Sequence, residues 1–497
     1  MTKLVKWQFF SMISRFAAMG IGILQSIFVV RYLSTAEYGL VGLVTSLGSV
    51  VGILLHLGLV SGTIREIAAN EDVREKFQIF VTSFFIRLSV AVLLSLVLFF
   101  SAPLVARKFY SHPEIAFPIR IFAVTLFVQS VQGIFDAVLS GFKRFKQLFV
   151  FQVAIALVSL ALYIPLILKF GFYGYFWAML GLAIIHSFAL FVLAIDCFSK
   201  QFGYLAFPLK QFPALVQKLF RNLGWNRLIV YGKRIFSVGF SIYIVKILFT
   251  LWEKFGPLAL GRVVSASDLG IFNFGLFFAT KLMTASDAVT AVNLPVFSES
   301  FGDGLEKFRQ EFDSNFKKIF AFITFSAATA VFWSPELFYI VVGSKYNATL
   351  PLVPWLVVAF WCYSFVNIIN SSILIPAKMT RDMIVSYLIL LVGTAVSFFV
   401  LPDGLYAMAY AMFLGSDLAL LWQAFALLRY PGISIFRRET VVLMIISIPL
   451  FALYLVFSSL VFKALFFIVI FLAFAYFVDR FGILKFSRVC ELINKRL

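Results

Sequence analysis

Runs of about 20 apolar residues, parted by short polar connections, recur along the whole 497-residue chain. A helix needs about 20 such residues to cross a hydrocarbon core roughly 30 Å thick. The pattern predicts fourteen spans: residues 9–30, 39–60, 77–105, 115–139, 147–169, 172–196, 235–252, 268–294, 316–342, 350–372, 382–402, 404–428, 440–460 and 463–480. One short stretch between spans occurs twice. RYLSTAEYGL (Arg31 to Leu40) parts the first two, and RVVSASDLGI (Arg262 to Ile271) parts the seventh and eighth, 231 residues later. Arg31, Ser34, Glu37 and Gly39 stand in register with Arg262, Ser265, Asp268 and Gly270, and at the same offset Arg15 falls opposite Lys246. The repeat predicts an all-α integral membrane protein of about fourteen transmembrane helices. Two pseudo-symmetric six-helix lobes of one orientation, 1–196 and 235–428, are related as parallel repeats. A cytosolic amphipathic linker (197–234) joins them, and 429–497 adds two helices and a basic tail.

Composition agrees. With 62% hydrophobic and 13% charged residues and a mean hydropathy of +1.00, a soluble globular domain is excluded. The net charge of +19 would suit nucleic acid if it were clustered. Instead, Lys and Arg favour alternate connections by about three to one, the positive-inside pattern. This predicts a multi-pass cytoplasmic-membrane protein with both termini cytosolic, its charge matched to anionic lipid of the inner leaflet and not to nucleic acid. The first run lacks a small-residue cleavage site and reads as a retained helix.

Candidate chemistry is sparse. Cys197, Cys362 and Cys490 are far apart, and His56, His112 and His186 form no zinc spacing, so no metal site or organic cofactor is expected. The short outer loops carry no DxD motif or paired carboxylates, which weighs against an enzyme. Two connections read as helices lying on the membrane: Phe212, Leu215, Val216, Leu219, Phe220 and Leu223 share one face, and so do Phe301, Leu305, Phe308 and Phe312. The C-terminal tail is a weaker third.

Charges within spans are costly and tend to face a cavity or a partner. The cations are Arg15, Arg87, Lys246 and Lys281, with Arg31 and Arg262 at the outer rim. Arg15 and Arg87 have snorkelling as the alternative, and the rim arginines have helix capping. Asp136 either pairs with Lys143 or Arg144 or serves as a coupling site, and Asp287 and Asp417 either neutralise Lys246 and Lys281 or carry a coupling H+ or Na+. His56 and His186 read as packed core residues. Gln129, Gln132 and Asp136 share one helical face, and Ser364, Asn367 and Ser371 repeat the spacing 235 residues on. Such stripes form either interhelical hydrogen bonds or a polar vestibule. The excess of cations favours an anionic substrate such as a phosphate or pyrophosphate.

RYLSTAEYGL also resembles the arginine–leucine–(glycine)–x–x–(glutamate)–tyrosine–glycine signature of polysaccharide biosynthesis exporters. These are the O-antigen-type flippases of the multidrug/oligosaccharidyl-lipid/polysaccharide exporter superfamily. Arg31, Leu33, Glu37, Tyr38 and Gly39 carry the match, Ser34 replaces a common glycine, and GFKRFK at Gly141 to Lys146 is similar in character. The resemblance implies a two-lobe bundle that moves a polyprenyl-pyrophosphate-linked oligosaccharide to the outer leaflet through a cationic central cavity by alternating access. It also implies polysaccharide assembly proteins as partners. Arg15, Arg87, Lys246 and Lys281 are the candidates for that path. A multidrug or organic-cation antiporter and a lipid II flippase of the same superfamily are alternatives, and a membrane polymerase or ligase is a more distant one.

Overall fold

The computed structural model describes residues 3–56, 59–69, 72–142, 144–201, 243–402, 404–429, 435, 437–457 and 459–483. The amphipathic face from Phe212 to Leu223 and the C-terminal tail lie outside them, as does the side chain of Arg15. Every element among the described residues is helical, and eight helical stretches are long and apolar enough to cross a membrane. The chain is a multi-pass membrane protein. Two compact units divide it, residues 1–270 and 271–497.

The first unit holds α1 (Lys3–Tyr32), α2 (Thr35–Ile53), α3 (Leu59–Ala69), α4 (Val73–Leu104), α5 (Ala116–Ser130), α6 (Gln132–Gly141), α7 (Phe145–Gln201) and α8 (243–263). It also takes in the first turn of α9 (Ala266–Asp303). Straight, the 57 residues of α7 would be ~85 Å long, almost three hydrocarbon thicknesses. The chain instead turns at Gly171, whose φ of 55° and ψ of −129° suit a residue without Cβ. The arms so formed match the predicted spans 147–169 and 172–196, and Tyr163 meets Tyr175 edge-on at 5.2 Å. Helix α1 lies along α7, with Ser159 Oγ donating to Gln25 Oε1 and Tyr32 OH to the Leu168 carbonyl.

The two copies of the repeated motif do the same local work. Ser34 caps α2, accepting from the Glu37 N–H while its own N–H and hydroxyl donate to the Glu37 carboxylate. Ser265 and Asp268 repeat the cap at α9, Ser265 Oγ donating to Asp268 Oδ2 at 2.7 Å and accepting from the Asp268 N–H. The capped ends then meet: Thr35 Oγ1 and Ser267 Oγ share a hydrogen bond of 2.8 Å. Gly39 lies against the Ala266 carbonyl and Gly270 against the Thr35 carbonyl, so closely that neither leaves room for a Cβ. The contact is a reciprocal glycine crossing of the small-residue kind used between membrane helices.

The second unit contains the rest of α9, then α10 (Leu305–Phe332), α11 (Ser334–Val342), α12 (Val353–Ile369), α13 (Thr380–Val400), α14 (Leu405–Leu427), α15 (Arg438–Ala452) and α16 (Leu460–Arg480). Helices α9 and α10 form a hairpin at Gly304. Here the structure corrects the sequence reading. Phe308 and Phe312, expected on a surface-lying helix, are 0% and 1% exposed. They belong to a ladder of rings from Phe297 through Phe308, Phe312 and Phe316 to Phe320, which packs on Phe365 of α12. The apolar face found helical neighbours, and ring-on-ring packing adds about 0.5–1.5 kcal/mol per pair beyond burial.

Helix α16 is fixed by a buried ion. Lys463, 1% exposed, donates to both carboxylate oxygens of Glu336 at 2.8 Å and to the Tyr454 carbonyl at 3.1 Å. Its ammonium also lies 5.0 Å from the centre of the Phe332 ring.

Two stability predictions follow from these contacts. Gly39→Ala and Gly270→Ala should each lower stability by about 2 kcal/mol through overpacking, read as a lower thermal midpoint of the purified protein. Gly20→Ala is the control, because a Cβ there meets nothing within 4 Å. Glu336→Gln should destabilise by about 3 kcal/mol, since it strands a buried ammonium. The pair Glu336→Gln with Lys463→Met should recover most of that loss in the same measurement.

Candidate functional site

A cavity of about 530 Å³ lies within the first unit. Four walls form it. Helix α2 and its C-terminal turn supply Ser49, Gly52 and His56; α4 supplies Arg87; α5 and α6 supply Gln129, Gln132, Gly133 and Asp136; α8 supplies Lys246, Thr250, Glu253 and Lys254. The polar stripe predicted at Gln129, Gln132 and Asp136 therefore faces open space. Gln132 is also anchored, its Nε2 donating to Ser187 Oγ at 3.0 Å and to the Ala183 carbonyl at 3.2 Å on α7. The stripe persists although α5 ends at Ser130, because the break at Val131 costs only one residue before α6 begins.

Arg87 dominates the site. It is 5% exposed, and its Nε and Nη1 have no hydrogen-bond partner among the described residues. A guanidinium does not give up its proton in a protein. A buried cation without full pairing is destabilising, so its environment favours an anion. Arg87 also lies against Gly133: a Cβ there would sit 3.1 Å from Nη1 and 3.3 Å from Nη2. The glycine gives the planar head its place at the wall. Lys246 is exposed to the same cavity, and Lys254 is paired with Glu253 at 2.8 Å. Three cationic side chains thus face two anionic ones, with the Lys254–Glu253 pair largely self-neutralising.

The other predicted candidates sit elsewhere. Arg31 is exposed in the last turn of α1, and Arg262 is exposed with its guanidinium 5.4 Å above Phe109. Lys281 belongs to the second unit, its ammonium 4.1 Å from the Phe277 ring centre. The second stripe is spent on hydrogen bonds: Ser364 donates to the Phe360 carbonyl, Ser371 to the Ile368 carbonyl, and Asn367 to Asp287 Oδ1 at 3.1 Å and Ser286 Oγ. Asp417 is half-buried on α14.

Sequence reasoning passed over Glu253 and Lys254 because hydropathy ends the seventh span at 252, whereas α8 continues to 263. It also read His56 as core. The residue is half-buried and lines the cavity, at the turn that ends α2.

Among the described residues the architecture is all-helical, with a polar cavity inside the first unit. The fold is shared with solved transporters. A lipid II flippase, MurJ, in an inward closed conformation is 14% identical, with 95% of this chain and 99% of that one covered and a TM-score of 0.70. An inward-facing multidrug resistance MATE family transporter of the MOP superfamily is 14% identical over 84% of this chain and 98% of that one, with a TM-score of 0.65. An outward-facing structure of such a transporter gives 18%, 86%, 95% and 0.51 in the same order. No curated protein sequence matches. The chain belongs to the polysaccharide biosynthesis protein family, whose model matches residues 28–351.

Proposed function

We propose that this protein is a flippase, not an enzyme, which carries a polyprenyl-pyrophosphate-linked oligosaccharide from the cytosolic to the outer leaflet of the cytoplasmic membrane. Both termini lie in the cytosol, and the cargo passes on to polysaccharide assembly proteins. Arg87 carries the reading: a permanently charged, buried guanidinium on a cavity wall, with two nitrogens unpartnered, is built to receive a phosphate oxygen. Lys246 on the opposing α8 supplies a second, exposed charge, and the glutamines of α5 and α6 suit sugar hydroxyls. Family membership supports the substrate class, and the shared fold includes a protein titled lipid II flippase. Movement between leaflets proceeds by alternating access, either coupled to H+, Na+ or the membrane potential or uncoupled.

Asp136 on the same wall supports a second reading, an organic-cation antiporter of the same fold. The cationic excess of the cavity disfavours it. In proteoliposomes loaded with a lipid-linked oligosaccharide, Arg87→Gln should slow translocation about 10- to 100-fold, the loss of one or two charge-assisted hydrogen bonds. Lys246→Gln should have a smaller effect. Full activity in the double variant would remove the cationic path. Asp136-dependent efflux of an organic cation would replace it with the antiporter.

A further inference from the structure

Behind the α6 wall of the cavity lies a second, apolar space of about 310 Å³. Phe80, Phe84 and Phe85 of α4, Phe135 of α6, and Phe188 and Phe191 of α7 line it. Phe188 is 68% exposed at its mouth. The two spaces share walls. On α4, Phe80, Phe84 and Arg87 follow i, i+4, i+7 spacing and so lie along one face, which places the guanidinium about one helical turn beyond the phenylalanines. On α6, Phe135 faces the groove while its neighbour Asp136 faces the cavity, and Gly133 leaves that wall without a side chain where Arg87 meets it. The hydrogen bond from Gln132, on the cavity side, to Ser187, on the groove side, holds the partition.

From this juxtaposition we propose that the groove binds the polyprenyl tail of the cargo close to its pyrophosphate. An anion held at Arg87 has, one turn along the same helix, an aromatic-walled channel of the right character for a methyl-branched, unsaturated chain. A charge-matched head site and an apolar tail site joined by one helix face make a single amphiphile-binding element. The proposal rests on the flippase reading for the anionic head, and the test separates the two.

Affinities of the full chain in nanodiscs are measured for two pyrophosphates with the same head, a long-chain polyprenyl pyrophosphate and geranyl pyrophosphate. The wild type should bind the long chain at least about tenfold more tightly. Phe84→Trp, which fills the groove, should reduce that ratio to below about threefold, and so should Phe188→Ala, which removes its mouth without touching the core. Arg87→Gln should weaken both ligands about tenfold or more while keeping the ratio. A length preference unchanged in both groove variants would overturn the tail site and leave the flippase reading standing. Groove variants that erase the preference while Arg87→Gln changes nothing would support the tail site and overturn the anion site.

Discussion

In a hydrocarbon surround no water waits to satisfy a buried polar group, and the organisation of this chain follows from that constraint. Helices satisfy their own backbone, so the structure must solve only the helix ends, the turns and the side chains that are not apolar. The ends of α2 and α9 are closed by serine–carboxylate caps, and the long α7 reverses at a glycine without leaving the helical regime for more than a residue. In the second unit some polar side chains find one another: Gln423 bridges Asn370 and Ser386, and Asn293 joins Ser372. Lys463 is surrounded by acceptors and a ring face. Against this background Arg87 stands apart. It carries a charge at depth, and two of its donors reach no acceptor among the described residues.

Such an exception has a cost of several kcal/mol, and a chain that pairs the buried Lys463 with Glu336 has the means to avoid it. Glu336 shows that a carboxylate can be placed against a buried ammonium here. Asp136 lines the same cavity as Arg87, yet no ion pair closes between them within 4 Å, and the arginine keeps Nε and Nη1 open. A charged donor left unsaturated keeps its hydrogen-bonding capacity. Saturation by a fixed carboxylate would remove that capacity.

What the sequence disclosed divides along physical lines. The turn inside α7 was legible because hydropathy over about 20 residues is a strong, local signal, and the predicted break between 169 and 172 coincides with Gly171. The repeated loop was legible as a pattern because capping is decided within four residues; that its two copies meet through Gly39 and Gly270 is a long-range fact without local trace. Charge drew attention to Arg87 and Lys246, but the same rule drew attention to Lys281 and Arg262, whose surroundings only packing determines. The phenylalanines at 308 and 312 misled because an amphipathic face looks the same whether it meets lipid headgroups or another helix. Glu253 and Lys254 were lost because a hydropathy window ends where charge begins, although the helix continues.

The repeat also separates scaffold from chemistry. Where its two copies agree, at the serine caps and the crossing glycines, they make structure. Where they diverge, function becomes possible. Gln129, Gln132 and Asp136 line an open cavity, whereas Ser364, Asn367 and Ser371, at corresponding spacing, are committed to hydrogen bonds within their own unit. A duplicated bundle whose stripes had stayed chemically equal would present the same polar face twice. Divergence of the two stripes gives one unit polar side chains that line a cavity and the other polar side chains that bond within their own unit.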